Sequence, residues 1–72
     1  MDRSQHMEEL DAYSVAEFSR RHGFSPGHLY ALWRDNRGPR YMQLGDRRLI
    51  TAEAAADWRR EREREATESQ AA

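Results

Sequence analysis

Twelve basic residues, all arginine, stand among the 72 residues of the chain, beside thirteen carboxylates and three histidines. A planar guanidinium offers paired donors that match phosphate oxygens and the guanine edge, so an all-arginine set of cations suits nucleic-acid contact. The acids and histidines suggest no comparable chemistry. His6, His22 and His28 are scattered and there is no cysteine, so neither a zinc site nor a disulfide framework is indicated. No Ser-His-Asp arrangement, phosphate-cradling glycine loop or paired carboxylate motif is present. The expectation is a binding protein rather than an enzyme, with no cofactor and no metal.

The net charge of −1 conceals an uneven distribution. Residues 1–13 carry Arg3 against Asp2, Glu8, Glu9 and Asp11, a balance of −3. Residues 14–60 carry Arg20, Arg21, Arg34, Arg37, Arg40, Arg47, Arg48, Arg59 and Arg60 against Glu17, Asp35, Asp46, Glu53 and Asp57, a balance of +4. Residues 61–72 return to −2, with Arg62 and Arg64 against Glu61, Glu63, Glu65 and Glu68. A basic centre between acidic ends points to a polyanionic partner. No apolar run approaches the roughly 18 residues of a membrane span. The first residues lack the basic and apolar regions of a signal peptide. The expected location is the cytoplasm, with no membrane partner.

The elements that must hold these cations can be read from capping chemistry. Residues 1–12 lack sustained periodicity and read as a flexible tail. Ser14 with Glu17 three residues on forms a capping box, and Tyr13 with Phe18 the matching hydrophobic staple. The first helix then runs from about Val15 to His22, with Val15, Phe18 and His22 on one face, and Gly23 suits the left-handed residue that ends it. His22, like His6, reads as structural. Ser25 followed by Pro26 opens a second helix, to about Asn36, with Leu29, Leu32 and Trp33 inward. Gly38-Pro39 breaks it. The runs at 40–44 and 47–50 around Gly45-Asp46 read as a hairpin. A two-residue loop groups Met42, Leu44, Arg47 and Leu49 on one face. A three-residue loop groups Met42, Leu44, Arg48 and Ile50, and Arg48 then snorkels along the core edge. Met42 and Leu44 are expected inward in either register. Thr51 caps a third helix, Ala52 to about Glu65, with Ala54, Ala55 and Trp58 as its apolar face. Residues 66–72 read as a flexible tail, leaving one domain over 13–65.

Helix, three-residue turn, helix, basic hairpin, helix: the fold class is mostly α with a small β-hairpin, a winged helix-turn-helix. In such a fold the second helix enters the major groove and the hairpin reaches the backbone. On the second helix the candidate DNA contacts are Ser25, Gly27, His28, Tyr30, Ala31, Arg34 and Arg37. Small or polar residues at 26–28 let the backbone approach the duplex. On the wing and backbone side the candidates are Arg20, Arg40, Arg47 and Arg48. Arg20, like Arg21, reads equally well as a plain surface charge.

The stretches VAEFSRRHGFSPGHLYALWR, RGPRYMQLGDRRLI and TAEAAADW, taken in order, resemble the excisionase and AlpA-type regulators of the MerR-like winged-helix superfamily. Ser25, Leu29, Tyr30, Gly38, Pro39, Leu44, Gly45, Arg47 and Trp58 stand at matching positions, over roughly residues 14–60. The chain departs from the pattern at Pro26-Gly27-His28, at Asp46 on the wing tip and at Ala54-Ala55-Ala56. The resemblance implies a sequence-specific binder of double-stranded DNA. It would be an excisionase, or recombination directionality factor, that bends attachment-site DNA and directs an integrase toward excision of a mobile element. It also implies head-to-tail self-association on DNA, which the acidic head and tail would suit. An AlpA-like transcription regulator is the alternative on the same fold, and a protein-interaction module such as an antiactivator or antitoxin is a second.

Overall fold

A computed structural model of the chain describes residues 11–71. The elements follow in the order β1 (Ala12–Ser14), α1 (Val15–His22), α2 (Pro26–Arg34), β2 (Met42–Leu44), β3 (Arg47–Thr51) and α3 (Ala52–Ala71). The described residues are mostly helical, with three helices and a three-stranded antiparallel sheet in the order β1-β3-β2. Among the described residues no helix is long and apolar enough to cross a membrane.

Each helix starts on the hydroxyl the sequence offers. Ser14 Oγ accepts from the Glu17 amide, Ser25 Oγ from the His28 amide, and Thr51 Oγ1 from the Ala54 amide, at 3.0–3.1 Å. Each satisfies an amide that has no partner within its own helix. Tyr13 meets Phe18 edge-on at 6.1 Å, as the staple requires. The Glu17 carboxylate, expected to reach back to the cap, instead pairs with Arg20 at 2.6 Å and with Arg21. Two guanidiniums one turn along the same helix outcompete one backbone amide for it.

Gly23 ends α1 with φ at +81°, and the Phe24 amide then donates to the Ser19 carbonyl at 3.1 Å. Helix α2 stops at Arg34, short of the expected Asn36, because Asn36 itself turns left-handed at φ +59°. Asparagine tolerates that region better than most residues. The turn lets the Arg37 amide donate to the Leu32 carbonyl at 2.8 Å. From there to the hairpin, two indoles hold the chain. Trp33 Nε1 donates to the Pro39 carbonyl and Trp58 Nε1 to the Arg37 carbonyl, both at 2.7 Å.

Two expectations for the sheet need correction. Ala12–Ser14 is a third strand rather than the end of a tail, pairing Tyr13 with Ile50 on β3. The Asp11 carbonyl, before it, accepts from the Ala52 amide at 2.8 Å, and residues 1–10 of the expected tail lie outside the described residues. The hairpin uses the two-residue loop, since Leu44 faces Arg47 and Met42 faces Leu49. Gly45 supplies the positive φ, +63°, that the first position of such a loop favours. Met42 and Leu44, however, point outward and are 39% and 55% exposed. The inner face carries Tyr13, Ile50 and Arg48, because β1 brings Tyr13 beside Ile50 and both pack on Phe18 and its neighbours. Side chains alternate along a strand, so once Ile50 faces in, Leu49 and its partner Met42 face out.

The core consists of Phe18, Leu29, Ile50, Ala54 and Ala55, with Tyr13, Val15, Phe24, Leu32, Trp33 and Trp58 packed around it. His22 stacks on Phe18 at 4.0 Å. Its Nδ1 donates to the Phe18 carbonyl at 2.8 Å, so Nε2 is left to accept from Arg59 at 3.0 Å. Ser19 is fully buried and its hydroxyl has no hydrogen-bond partner among the described residues. An unsatisfied buried hydroxyl costs stability, and alanine is the better helix former. Ser19→Ala should therefore raise the unfolding free energy by about 1 kcal/mol in urea titration.

Helix α3 continues past the expected end at Glu65 to Ala71. It has no apolar stripe there. Arg64 bridges Glu61 and Glu68, and Arg62 meets Glu65 at 2.7 Å, largely solvent-exposed pairs at helical spacing that support the helix weakly. Asp57 on α3 pairs with Arg40 at 3.0 Å and with Arg60. Hydrogen bonding by Arg40 holds Asp57 below the ordinary carboxylate range, and bonding by Arg21 and Arg20 does the same for Glu17. Lowered carboxylates stabilise the fold above their ordinary values, and the contribution disappears as pH falls through the lowered ones. The melting temperature should therefore hold steady down to about pH 4.5 and decline below it. Glu17→Gln and Asp57→Asn should each make that acid limb shallower.

Candidate nucleic-acid interface

Most arginines of the described residues are tied to a partner. Arg20 and Arg21 serve Glu17, Arg40 and Arg60 serve Asp57, and Arg62 and Arg64 pair along α3. Arg37 meets Glu65 at 3.4 Å and Arg59 meets His22. Three arginines differ. Arg34 lies 3.9 Å from its neighbour Asp35, with its side chain 76% exposed. Arg47 is exposed and has no ion pair or hydrogen bond among the described residues. Arg48 is half-buried, with aromatic rings rather than a carboxylate beside it.

These three stand on one continuous surface. A cleft beside the end of α2 is lined by Tyr30, Trp33, Arg34, Tyr41 and Arg48, among others. A second, between the start of α1 and the hairpin tip, is lined by Ser14, Ala16, Tyr30, Asp46, Arg47 and Arg48. Tyr30 and Arg48 belong to both. The surface thus runs from Arg34 through Tyr30 and Arg48 to Arg47 at the tip. Leu29 explains why Tyr30 and Arg34 face outward. Its side chain is fully buried, and the residues one and five positions on lie about 100° and about 140° round α2 from it, together on one flank away from the core.

The remaining expected contacts fall into two groups. Gly27 and His28 are exposed at the start of α2 and Ala31 is half-buried. His28 turns its ring toward Phe24 at 5.0 Å, and the Ser25 hydroxyl is used as the cap. Arg20, Arg37 and Arg40 are drawn toward carboxylates on α1 or α3. Arg40 also borders the first cleft. The structure therefore gathers Tyr30, Arg34, Arg47 and Arg48, and leaves Arg20 and Arg37 in ion pairs elsewhere. Tyr41 and Trp33 were missed as parts of this surface. Tyr41 shares strand parity with Gln43, which faces Arg48 in the ladder, a relation that depends on the hairpin register the sequence leaves open.

Among the described residues no group of three or more His, Asp or Glu side chains is placed to hold a metal ion. No protein-family model, curated protein or solved structure matches the chain. The arrangement itself therefore carries the functional argument. Guanidiniums with free donors, set among exposed aromatic faces at a helix and a hairpin tip, suit phosphates and base edges.

Gly27 separates what the fold needs from what a ligand needs. A Cβ there would meet only Ser25 Oγ, at an ordinary 3.8 Å, so the chain itself does not require glycine. Gly27→Ala should raise stability by about 0.5–1 kcal/mol, because glycine loses more backbone freedom in a helix. The same change should weaken binding to any partner whose backbone lies against the start of α2. Urea unfolding and duplex titration of the one variant measure both.

Proposed function

We propose that the chain is a winged helix-turn-helix protein that binds double-stranded DNA. Helix α2 would enter the major groove and the β2–β3 hairpin would be the wing. The supporting observation is the allocation of arginines: Arg34 on α2, paired only with Asp35 at 3.9 Å, and Arg47 on the hairpin border two clefts that share Tyr30 and Arg48, and neither guanidinium donates a hydrogen bond among the described residues. Arg34, with Gly27 and His28 at the head of the helix, is the candidate base reader. Arg47 is the candidate phosphate contact, and phosphate contacts position a protein without selecting sequence. The excisionase role is the specific form of this proposal. It rests on the resemblance of residues 14–60 to that family, with an integrase as partner and several protomers side by side on the site. An AlpA-like transcription regulator differs from it only in outcome.

A gel-shift titration against DNA flanking its own gene, with random duplex as competitor, tests DNA binding. Stepwise, sequence-preferring shifts are expected. An excision assay with the integrase of the same element then separates excisionase from transcription regulator. One observation favours a second reading. Met42 and Leu44 leave an apolar patch on the outer face of the hairpin, a feature of protein-interaction surfaces. If the folded protein gives no shift at low salt, an interaction module such as an antitoxin or antiactivator becomes the better reading.

A further inference from the structure

Arg48 stands on β3 with its side chain on the inner face of the sheet, two residues before the buried Ile50. Its guanidinium carbon lies 5.2 Å from the ring centre of Tyr30, 4.9 Å from that of Trp33 and 4.6 Å from that of Tyr41. A guanidinium within about 6 Å of an aromatic centroid is attracted by the ring quadrupole, and here three rings share one cation. The rings brace one another. Trp33 meets Tyr30 edge-on at 5.4 Å and Tyr41 at 4.7 Å. Tyr30 and Trp33 belong to α2, Tyr41 leads into β2, and Arg48 is on β3, so the cluster joins helix to hairpin. No carboxylate among the described residues pairs with Arg48. Moving it out to meet a phosphate would abandon three ring contacts. Arg47, its neighbour, has nothing to abandon.

We infer that Arg48 is a positioning residue whose aromatic cage locks the β2–β3 hairpin onto α2, fixing the spacing between Arg47 at the tip and Arg34 on the helix. Its consequence for DNA rests on the function proposed above; the lock itself does not.

Two sets of measurements keep those apart. The first uses no DNA. Arg48→Met keeps a long stem and removes the cation, and Tyr41→Leu removes one ring. In a double-mutant cycle of unfolding equilibria the two should be coupled by roughly threefold or more. If Arg48→Met does not fold, Arg48→Gln, which also keeps a long stem and removes the cation, takes its place in the cycle. Independent effects would overturn the lock, whatever the protein does with DNA.

The second set titrates duplex DNA at a temperature where circular dichroism shows every variant folded. Arg48→Lys, Arg48→Met and Tyr41→Leu should each weaken binding by roughly five- to tenfold, because Lys lacks the planar guanidinium that stacks on the rings, Met lacks the cation and Leu lacks a ring. The slope of log K against log salt should stay at the parent value in all three. A direct phosphate contact predicts the opposite pattern. Arg48→Lys would then bind nearly as well as the parent, and Arg48→Met would show a slope shallower by about 0.9. That result overturns the positioning role. Should the parent not bind duplex DNA at all, the DNA-binding reading falls and the unfolding cycle alone decides the lock.

Discussion

Gly38→Ala should cost about 1–3 kcal/mol of stability and displace the indole of Trp33. A Cβ at residue 38 would lie 2.4 Å from Trp33 Cδ1 and 2.8 Å from Nε1, closer than real contacts come. The indole has little room to yield. Its Nε1 is bonded to the Pro39 carbonyl, and its ring packs against Tyr41 on one side and Tyr30 on the other. The loss would also spread. The connection over 35–41 leads from α2 to the hairpin, and Trp33 holds it from one side as Trp58 holds it from the other. Stability for a domain of this size is commonly about 4–10 kcal/mol, so the loss would be a large share of the total. Urea unfolding followed by tryptophan fluorescence measures it. A variant with parent stability and an unchanged emission spectrum would mean that the loop is positioned by something other than the indole.

Arg34→Ala combined with Arg47→Ala should reduce duplex affinity by about 100- to 10,000-fold and leave the fold intact. A hydrogen bond to a charged group is worth about 1.5–3 kcal/mol, and each of these arginines is exposed and without a close internal partner to stabilise. The single variants should differ in kind. Arg47→Ala should weaken all sequences alike and reduce the salt slope by about 0.9, as expected for one phosphate. Arg34→Ala should relax preference at one base position by about 1–3 kcal/mol. Arg20→Ala serves as the control, since that side chain is 70% exposed and paired with Glu17 on α1. If Arg20→Ala weakens binding as much as the double variant does, the DNA face lies on α1 instead.

Local chemistry was legible in the chain before any coordinates. Ser14, Ser25 and Thr51 cap helices because a hydroxyl in front of an apolar period has few other uses, and Gly23 ends α1 for want of a side chain. What long-range pairing decides was not legible. Residues 12–14 are too few to show strand alternation, and their partner lies on β3, far along the chain. Without β1 nothing distinguished the two faces of the hairpin, so Met42 and Leu44 looked like core and Ile50 only like one of two choices. The site followed the same rule. Arg34 and Arg47 were readable from their places at a helix end and beside a turn. The capture of Arg40 by Asp57 and of Arg37 by Glu65 was not, because both acids come from α3. The ring cage of Arg48 depended on the face of the hairpin and was hidden with it.

Whether the surface from Arg34 to Arg47 binds duplex DNA is measured by fluorescence anisotropy of a labelled duplex, titrated with the full chain across a range of salt concentrations. Arg47 on a phosphate, with counterion release there, predicts a slope of log K against log salt of about −0.9 or steeper, and a shallower one for Arg47→Ala. A folded chain that shows no binding at low salt, or a slope that Arg47→Ala leaves untouched, would contradict DNA binding by this surface.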